Sequence, residues 1–545
     1  MGERIPLAPP LRFAQGDTSR FSLLASRISI PASIFPSMLP VLTPAQAAAW
    51  DARADADGRP LRMLMESAGR AVAQTAIWHF GEAASEGVLV ACGSGNNGGD
   101  GWVAARFLHR MAYPVTVLAI APPATDLAAD ARRVALADGV REIGPGDPWP
   151  RVGLVIDALL GAGARGAPRP PLDALLARLA DLERPVVAVD VPTGLDLTTG
   201  TDHGALTADH TVAFGAVHRG HLLAREVVGE LHVAEVGHPD PDPAWPRLAD
   251  VAEARAWLPA FRSDAHKGVR GRVVIVGGSR GMTGAARLAA RAAFAAGAGL
   301  VHVVTEPEAA AELVQAEPDV QVRSQAWSEP LADEIRELLA SADVVVVGPG
   351  LGRDDARTRL VGEVLLHAPR AVIDADALHA VAGRLDALRT HAARIPLILT
   401  PHPGEFRAVF PDIGIDDRWA AVQEAARTSG AVVLLKGVPT VIAPADGAVL
   451  TVARGNPGLA TGGSGDVLSG IIAALWCLRD DAPTTAALGA LSLGVAAEFA
   501  ALDHGVRAMR PMDVIEALPE CWAAWAEAPD AVRDVLLQLA PPSTR

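Results

Sequence analysis

The sequence has almost no lysine: only Lys267 and Lys436 occur among its 48 lysine and arginine residues. It has 63 acidic residues, so the formal net charge is −15 at pH 7, and no run of basic residues is present. An acidic chain of this kind is a poor binder of nucleic acid or of an anionic membrane surface. Because arginine cannot replace a compact, flexible ammonium group everywhere, the positions of the two lysines are informative.

Cysteine and long apolar runs are scarce as well. The three cysteines, Cys92, Cys477 and Cys521, lie far apart without metal-ligand spacing, and they favour a reducing, cytoplasmic compartment. No apolar run reaches the roughly 18 residues of a membrane span, and residues 1–39 lack the order of a secretory signal. We interpret residues 1–39 as disordered, or as an extension from a mis-assigned start codon, because Met38 directly precedes the first regular pattern.

Hydrophobic residues make up 50% of the 545 residues, and this length predicts two or more domains. In residues 40–236, short apolar runs alternate with helical stretches, and each run ends at a glycine-rich or acidic loop. This alternation predicts a parallel sheet covered by helices on both faces. The predicted strands are Val88–Cys92, Val115–Ala119, Leu154–Asp157 and Val186–Asp190.

Four prolines in nine residues follow from His238, so residues 237–263 are predicted to be a linker. A second alternation occupies residues 264–520, and residues 521–545 are interpreted as a C-terminal tail. We therefore predict the α/β class, with two three-layer α/β/α domains. The predicted strands of the second half are Val273–Val276, Val301–Val304, Val344–Val347, Val372–Asp374, Leu397–Thr400 and Val432–Lys436, and its last helices are Asp466–Cys477, Thr484–Leu502 and Met512–Leu518.

The first candidate site is the loop 93–101, which precedes a helix predicted from Trp102 to Arg110. Glycines let the backbone approach a ligand closely, and free amides at a helix start favour an anion. The alternative is a plain strand-to-helix turn or a dinucleotide-binding loop. Asn96, Asn97 and Asp100 do not fit that alternative, because plain phosphate loops seldom need side-chain carbonyls and a carboxylate.

Two further predicted strands end at Asp157 and Asp190, and Thr193 follows closely. Because the ends of parallel strands meet at one edge of a sheet, we expect Asn97, Asp157 and Thr193 to converge. Their oxygens suit a hard, weakly held cation better than zinc. Each acid alone is also typical of a helix N-cap or a turn, but acids on successive strand ends favour a site.

The strongest local pattern lies in residues 455–470, where Gly462, Gly463 and Gly465 lead into a helix near Asp466. The amides of such a loop form a nest for a transferring phosphoryl group. Asp466 is placed to take a proton from a hydroxyl that attacks phosphorus. The alternative is a serine–glycine loop with a capping aspartate, but an ordinary cap does not need so many glycines.

Three more loops, 347–352, 400–405 and 435–440, follow predicted strand ends. His402 lies between two prolines, which is typical of a side chain presented to a ligand. Lys436 ends an apolar strand, where a charge is costly unless it is paired, so a phosphate is a natural partner. For Asp374 and Asp376 the choice between a ribose, a nucleotide's metal and solvent stays open.

Residues 40–236 resemble the NAD(P)H-hydrate epimerase family through Gly95-Asn-Asn-Gly-Gly-Asp-Gly101, Asp157-Ala-Leu-Leu-Gly161 and Asp190-Val-Pro-Thr-Gly-Leu-Asp196. The resemblance implies a Rossmann-like domain in which Asp190 carries a proton, and Asn97, Asp157 and Thr193 hold potassium. The family usually has serine where Thr193 stands, and commonly lysine where His218 aligns. The implied hydrate-binding residues are Asn96, Asn97, Gly98, Gly99, Asp100, Gly161, Ala162, Gly163, Ala164, Arg165, Gly166, Ala167 and Asp190.

Residues 264–518 resemble the ribokinase-like, ADP- or ATP-dependent NAD(P)H-hydrate dehydratases through the loops described above and His266-Lys-Gly268. The resemblance implies Asp466 as the catalytic base, magnesium bound with ADP or ATP, and a closing loop at Gly277–Gly284. The hydrate is then expected at Ala285, Gly350, His402 and Asp466. The nucleotide is expected at Lys436, Gly437, Val438, Pro439, Thr440 and Gly465.

We therefore predict a bifunctional repair enzyme that interconverts R and S hydrates of NAD(P)H and dehydrates the S form back to NAD(P)H. The alternative is a small-alcohol (vitamin-precursor) kinase on the same fold, with a non-catalytic N-terminal ligand-binding module. The choices between ADP and ATP, and between NADH and NADPH hydrates, stay open. We expect a cytoplasmic homo-oligomer whose partners are these small molecules.

Overall fold

The computed structural model describes residues 38–261, 263, 264, 266–527 and 535–543. Residues 1–37, which make up most of the predicted extension, lie outside the described residues. Two α/β units follow one another along the chain, and each is built on one large sheet.

The first unit alternates short buried strands with helices. Its strands are β1 Val41–Leu42, β2 Val88–Cys92, β3 Val115–Ala119, β4 Arg141–Ile143, β5 Leu154–Ala158, β6 Val186–Val189, β7 His210–Phe214, β8 Val217–His218 and β9 Glu230–Ala234. Its helices are α1 Pro44–Ala56, α2 Leu61–Glu86, α3 Asn96–Arg110, α4 Asp126–Ala137, α5 Leu172–Ala180, α6 Arg219–Leu223 and α7 Arg225–Val228.

Seven strands of the first sheet are parallel, in the order β4–β3–β2–β5–β6–β7–β9. The strand order reverses between β2 and β5, and a crevice forms outside the carboxyl ends of strands at such a point. Leu108 of α3 and Leu176 of α5 belong to two different buried clusters, one for each face of the sheet. The predicted α/β class is thereby confirmed for this unit.

The second unit repeats the alternation over more elements. Its strands are β10 Arg247–Ala249, β11 Arg272–Val276, β12 Leu300–Thr305, β13 Gln321–Ser324, β14 Val344–Val347, β15 Ala371–Ile373, β16 Leu397–Leu399, β17 Val432–Leu435, β18 Thr440–Ala443 and β19 Leu450–Val452. Its helices are α8 Val251–Trp257, α9 Thr283–Ala295, α10 Pro307–Ala316, α11 Asp333–Ala340, α12 Asp355–His367, α13 Asp376–Val381, α14 Leu385–Ala392, α15 Pro403–Val409, α16 Arg418–Ser429, α17 Ser464–Cys477, α18 Ala482–Ala508 and α19 Pro511–Glu527.

The second sheet has the order β13–β12–β11–β14–β15–β16–β17–β18–β19–β10, parallel from β13 to β17 and antiparallel at β18. Its central strands, such as β14, β15 and β16, are apolar and buried because both faces are covered, whereas the edge strand β13 is polar and mostly exposed. In β11, Val273 and Ile275 join one buried cluster, whereas Val274 and Val276 join another. The order reverses between β11 and β14, which places a second crevice at their carboxyl ends.

The ten strands predicted from apolar runs all occur, with bounds that agree to within one residue. The helix predicted from Trp102 begins earlier, at Asn96, so the Asn-Asn-Gly-Gly segment forms its first turn. Gly98 makes this possible, since a Cβ there would lie 2.1 Å from the carbonyl oxygen of Gly93. The three C-terminal helices are also longer than predicted.

The predicted linker and tail are wrong in part. Residues 247–249, assigned to the linker, form the edge strand β10 of the second sheet, which pairs with β19. Residues 521–527, assigned to the tail, continue α19, and Cys521 and Trp525 are buried in the second core. Residues 535–539 form β20 Val535–Leu539, which pairs antiparallel with β9 of the first sheet. The apolar pattern did not reveal these short strands because their neighbours in the sheet are distant in sequence.

The two units share buried contacts. One buried cluster includes Leu222 and Leu231 of the first unit, Leu248 of β10 and Leu537 of β20. The buried guanidinium of Arg225 donates from Nη1 to the carbonyl of Ala453 at 3.0 Å. Arg225 and the strands β10 and β20 therefore contribute to the contacts that join the two units.

Among the described helices, only α18 is long and apolar enough to cross a membrane. Of its most apolar 18-residue window, 89% is buried inside the protein. It is packed as a core helix of the second unit.

We predict that Arg454→Ala lowers the free energy of unfolding by about 3–5 kcal/mol, because it removes a buried guanidinium and leaves two partly buried carboxylates without their cation. Arg454 follows β19 and is almost fully buried, with Nε 3.0 Å from Glu498 Oε1 and Nη1 3.3 Å from Asp250 Oδ1. Urea denaturation measures the loss. Arg427→Ala, which removes the exposed ion pair with Glu424, is the control and is expected to leave the midpoint unchanged. Equal midpoints for both variants would contradict the prediction.

Candidate active sites

The first crevice brings Asn97, Asp157 and Thr193 together, as the sequence predicts. The main chain of Leu160 joins two of them: its carbonyl accepts from Asn97 Nδ2 at 3.0 Å, and its amide donates to Thr193 Oγ1 at 3.1 Å. Thr193 in turn donates to both oxygens of Asp157, from its amide at 2.7 Å and from its hydroxyl at 2.8 Å. Three strand ends thus form one buried set of oxygen atoms.

Asp157 has no exposed surface. Burial raises the pKa of its carboxyl to about 6, although hydrogen bonds from Thr193 and Leu159 oppose the rise. A buried carboxylate with raised pKa gains from a nearby cation, which stabilises the ionised form. The site therefore favours a cation over an anion at this point.

Asp190 follows β6 with a left-handed backbone, at φ 63°. For a residue other than glycine this conformation is uncommon, and it is found where surrounding structure enforces it. The carboxylate accepts from the amide of Ala162 at 3.3 Å and lies 3.9 Å from His218 Nε2. Burial raises the pKa of Asp190, and the charge of His218 opposes this rise.

His221 connects the backbone of Asp190 to that of His218 through two hydrogen bonds. The carbonyl of Asp190 can only accept, so His221 Nε2, at 2.8 Å, must carry the hydrogen. His221 Nδ1 accepts from the amide of His218 at 3.2 Å, which agrees with that tautomer. Burial lowers the pKa of His221 to about 3, so its ring is neutral at pH 7. His221 thereby holds the backbone of Asp190 and His218 in place.

The two loops predicted to contact the hydrate border this set. A Cβ on Gly161 would lie 3.0 Å from Asn97 Cβ, so the second loop packs directly on the first. Asn96 is exposed and accepts from Thr125 Oγ1 at 2.7 Å. Burial raises the pKa of Asp100 well above its usual value, and the charge of Asp190 raises it further. Exposed positions on the second loop are Gly163, Arg165, Gly166 and Ala167.

In the second unit, Lys436 is held between two carboxylates. Its Nζ lies 2.8 Å from Asp374 Oδ1 and 3.6 Å from Glu405 Oε2. Burial acts to lower the pKa of Lys436, but these two charges outweigh it and raise the pKa. Ser469 donates to the other oxygen of Asp374 at 2.6 Å. The ammonium is therefore fixed at the sheet edge before any phosphate binds.

Asp466 lies in the first turn of α17, beside this charge cluster. The helix begins after Gly463, whose φ of 103° is left-handed, and no side chain caps its first turn, as is typical of helix starts that bind anions. A Cβ on Gly465 would lie 3.2 Å from Lys436 Nζ, so the loop and the lysine are adjacent. Burial and the charge of Asp374 raise the pKa of Asp466 to about 7, against the opposing charge of Lys436.

Gly350 and Ala285, both predicted from the sequence to contact the hydrate, lie next to each other at the second crevice. Gly350 has φ 58°, and a Cβ there would lie 3.1 Å from Ala285 Cβ and 2.4 Å from the carbonyl of Met282. The amide of Ser279 donates to the carbonyl of Gly350 at 2.8 Å. The loop Gly277–Gly284 therefore packs on the loop that contains Gly350.

His402 is exposed and also begins α15. Its Nδ1 accepts from the amides of Gly404 at 2.9 Å and Glu405 at 3.2 Å, so the neutral ring carries its hydrogen on Nε2. His402 thus combines the predicted exposure with a helix-capping role. Its Nε2 lies 3.4 Å from Glu405 Oε1, which connects it to Lys436.

The predicted nucleotide segment turns outward after Lys436. Gly437 has φ 140°, and a Cβ there would lie 2.7 Å from the guanidinium of Arg418. Arg418 donates to the carbonyl of Lys436 at 3.0 Å. Val438 is 67% exposed, a large apolar side chain free to contact a ligand.

Sequence reasoning missed several residues that shape these sites. Glu405 and Ser469 lie in segments that the sequence analysis singled out, but no function was predicted for either residue. For Asp374 the predicted contact was left open. The positions of these three residues after strands or one turn into a helix were visible in the sequence, yet nothing there showed that Asp374 and Glu405 both contact Lys436 or that Ser469 binds Asp374. His221 and Arg418 gave no sequence signal, because they act through backbone carbonyls.

The fold defines a two-domain α/β protein with a cluster of buried ionisable groups at the carboxyl ends of the strands in each unit. A sequence profile described as NAD(P)H-hydrate dehydratase matches residues 273–520, and one described as YjeF-related protein N-terminus matches residues 61–220. The chain is 39% identical over 491 residues to a bifunctional NAD(P)H-hydrate repair enzyme of Moorella thermoacetica, covering 84% of this chain and 92% of that protein. It is 37% identical over 481 residues to the Escherichia coli enzyme of the same description, covering 85% and 90%.

Among solved structures, an ADP/ATP-dependent NAD(P)H-hydrate dehydratase from Bacillus subtilis, co-crystallised with ATP and Mg²⁺, is 30% identical. It covers 50% of this chain and 97% of its own, with a TM-score of 0.45. From the full-length relatives, the chain belongs to the family of bifunctional NAD(P)H-hydrate repair enzymes.

We predict that Thr193→Val destabilises the protein by about 1–3 kcal/mol at pH 8, because ionised Asp157 loses a buried donor. The raised pKa of Asp157 means that the folded state holds this proton more tightly than the unfolded state. Its contribution to stability therefore falls as pH rises from about 4 through about 6. Because the substitution raises that pKa further, the loss is smaller at pH 5, where the group is protonated.

Denaturant midpoints at pH 5 and pH 8 measure this difference. Thr211→Val is the matched control, since its buried hydroxyl donates to the neutral carbonyl of Val228 at 2.7 Å. The control is expected to cost the same at both pH values. The same pH dependence in both variants would show that Asp157 is not responsible.

Proposed function

We propose that the second unit of this repair enzyme dehydrates S-NAD(P)H hydrate, with Asp466 as the base, and that the first unit interconverts the R and S hydrates. The observation that carries the proposal is the position of Asp466. Asp466 combines a pKa of about 7 with a helix start that no side chain caps and with the ammonium of Lys436, which is fixed nearby. A base is most effective when its pKa is near the working pH.

In the dehydration, Asp466 takes the proton of the ring hydroxyl, whose oxygen forms a bond to the terminal phosphorus of ADP or ATP. The rest of the nucleotide leaves. The ring C–O bond then breaks, phosphate departs, and a neighbouring ring carbon loses a proton to restore the dihydronicotinamide. Lys436 and the amides around Gly465 stabilise the negative charge in both steps.

In the epimerisation, Asp190 is the proposed proton carrier, because opening and reclosing the hydrated ring requires an acid–base group. Its burial and raised pKa favour a group that gains and loses a proton. His218, 3.9 Å away, stands where the family commonly has lysine, and it supplies a titratable nitrogen beside the same carboxylate. The loops Asn96–Asp100 and Gly161–Ala167 are proposed to hold the hydrate.

The oxygen atoms of Asn97, Asp157 and Thr193 fit potassium, since they offer hard donors and one buried carboxylate. Bound potassium would supply a fixed positive charge beside the hydrate. In the second unit, Asp374 is engaged by Lys436 and Ser469, and Asp376 by Arg353 at 2.6 Å. The proposed magnesium therefore enters with the nucleotide phosphates rather than in a preformed carboxylate site.

The kinase alternative with a non-catalytic first unit is not favoured, because both units match one family of bifunctional repair enzymes along most of its length. We propose a cytoplasmic homo-oligomer that acts on NAD(P)H hydrates with ADP or ATP. The preferences for nucleotide and hydrate can be measured by assaying the repair reaction with each combination of ADP or ATP and NADH hydrate or NADPH hydrate.

We predict that Asp466→Asn lowers the dehydration kcat by about 10²–10⁴-fold, because the base is lost. Calorimetric titration with ADP or ATP should show unchanged nucleotide binding, and epimerisation should continue. For the unaltered protein, kcat should rise with pH through about 7, as Asp466 loses its proton. The exposed Asp446→Asn serves as control. Unchanged turnover of Asp466→Asn would reject it as the base.

We predict that Asp190→Asn abolishes epimerisation but leaves dehydration of pure S hydrate unchanged. Asparagine tolerates positive φ well, so the backbone at this position is expected to survive the substitution. The measurement is the conversion of R hydrate, followed by chromatography, with the exposed Asp181→Asn as control. Retained epimerisation would reject Asp190 as the proton carrier, and His218 would then be the next residue to test.

A further inference from the structure

Three histidines and a glutamate meet at the edge of the first sheet opposite to the proposed epimerase site. They are His79 of α2, His210 at the start of β7, and Glu230 and His232 of β9. One ligand atom from each residue can be chosen so that all four lie within 4.8 Å of one another. Neither the proposed repair chemistry nor the sequence motifs use any of these residues.

The parallel register of β7 and β9 creates this cluster. His210 lies beside Glu230, and Val212 lies beside His232. His210 and His232 are therefore two residues apart along the paired strands and point to the same face. Their Nδ1 and Nε2 atoms are 2.7 Å apart. The ring of His79 reaches this face from α2, with its centroid 4.3 Å from that of His210.

Glu230 completes the cluster with the only carboxylate among its four members. Its Oε1 lies 3.4 Å from His232 Nε2. Gln538, on the C-terminal strand β20, donates to the same oxygen. An amide that orients a carboxylate in this way is the arrangement that supports metal ligands in known sites.

We propose that His79, His210, Glu230 and His232 bind one Zn²⁺ ion in a structural site of the first unit. Imidazole nitrogens with one carboxylate oxygen are a donor set for zinc, whereas magnesium and calcium prefer oxygen alone. Tetrahedral zinc with bonds of about 2.0–2.1 Å separates its ligand atoms by about 3.4 Å. The present separations bracket that value, so small rotations of the rings and the carboxylate bring the four atoms to it.

Four protein ligands close the coordination shell, which is typical of structural rather than catalytic zinc. His210 and Glu230 stand at the amino ends of their strands, whereas the proposed epimerase site is at the carboxyl ends. The ion would join α2 to two strands of the sheet. Through Gln538 it also stabilises β20, the strand that brings the end of the chain back to the first unit.

The test is zinc loading of the full-length protein. The protein is stripped with a chelator, incubated with Zn²⁺ alone, freed of excess ion and analysed by elemental mass spectrometry. We expect one zinc per chain and a rise in Tm of at least about 3 °C on loading, since an ion that binds only the folded state stabilises it. Replacement by Co²⁺ should give the intense visible absorption of tetrahedral cobalt.

The decisive variants are His79→Gln and His210→Gln, each expected to lower zinc affinity at least 10-fold and to remove the cobalt spectrum. His79 is only partly buried, so its variant is expected to fold, and retained repair activity will verify this. His391→Gln, a partly buried histidine of the second unit, is the matched control and should bind zinc normally. Zinc well below one per chain, or equal affinity in His79→Gln and the control, would overturn the proposal.

Discussion

The aspartates and the lysine proposed to act in the two repair reactions lie at or just beyond the carboxyl ends of strands, or in the helix that follows. This placement follows from one constraint: inside a covered parallel sheet, the backbone satisfies its own hydrogen bonds and the side chains must be apolar. Polar groups enter only where strands end, and the reversal of strand order opens a crevice there. Asp157 and Asp190 occupy the first such edge, and Asp374 and Lys436 the second.

Burial then determines the chemistry of these groups. Asp157, Asp190 and Asp466 all have raised pKa values with burial as the main cause. Each has a neighbour that opposes the rise: the hydroxyl of Thr193, the ring of His218 and the ammonium of Lys436 respectively. For Asp157 and Asp466 the balance leaves pKa values of about 6 and about 7, near the range in which proton transfer is effective. Of the two lysines, Lys436 takes part in this balance, whereas Lys267 is exposed.

The two units are joined by short edge strands more than by a flexible connection. β10 comes from the predicted linker and joins the second sheet, and β20 comes from the predicted tail and joins the first. Buried arginines hold these segments: Arg454 binds Asp250, directly after β10, and Arg225 donates to the carbonyl of Ala540, directly after β20. The two proposed activities therefore reside in units that share buried contacts. Both units of one molecule thus have access to the same hydrates.

Local sequence patterns determined much of this protein: the α/β class, ten strand positions, and the glycine-rich loops that begin with Gly93, Gly348 and Gly462. Apolar runs of strand length and glycines at strand ends act within a few residues, so they can be read directly. The tertiary structure alone decided which distant residues meet. Glu405 contacts Lys436, Ser469 donates to Asp374, and His221 donates to the carbonyl of Asp190. Three histidines and Glu230 form a further cluster. Sheet order and strand register set those contacts, and both depend on packing between segments far apart in the chain.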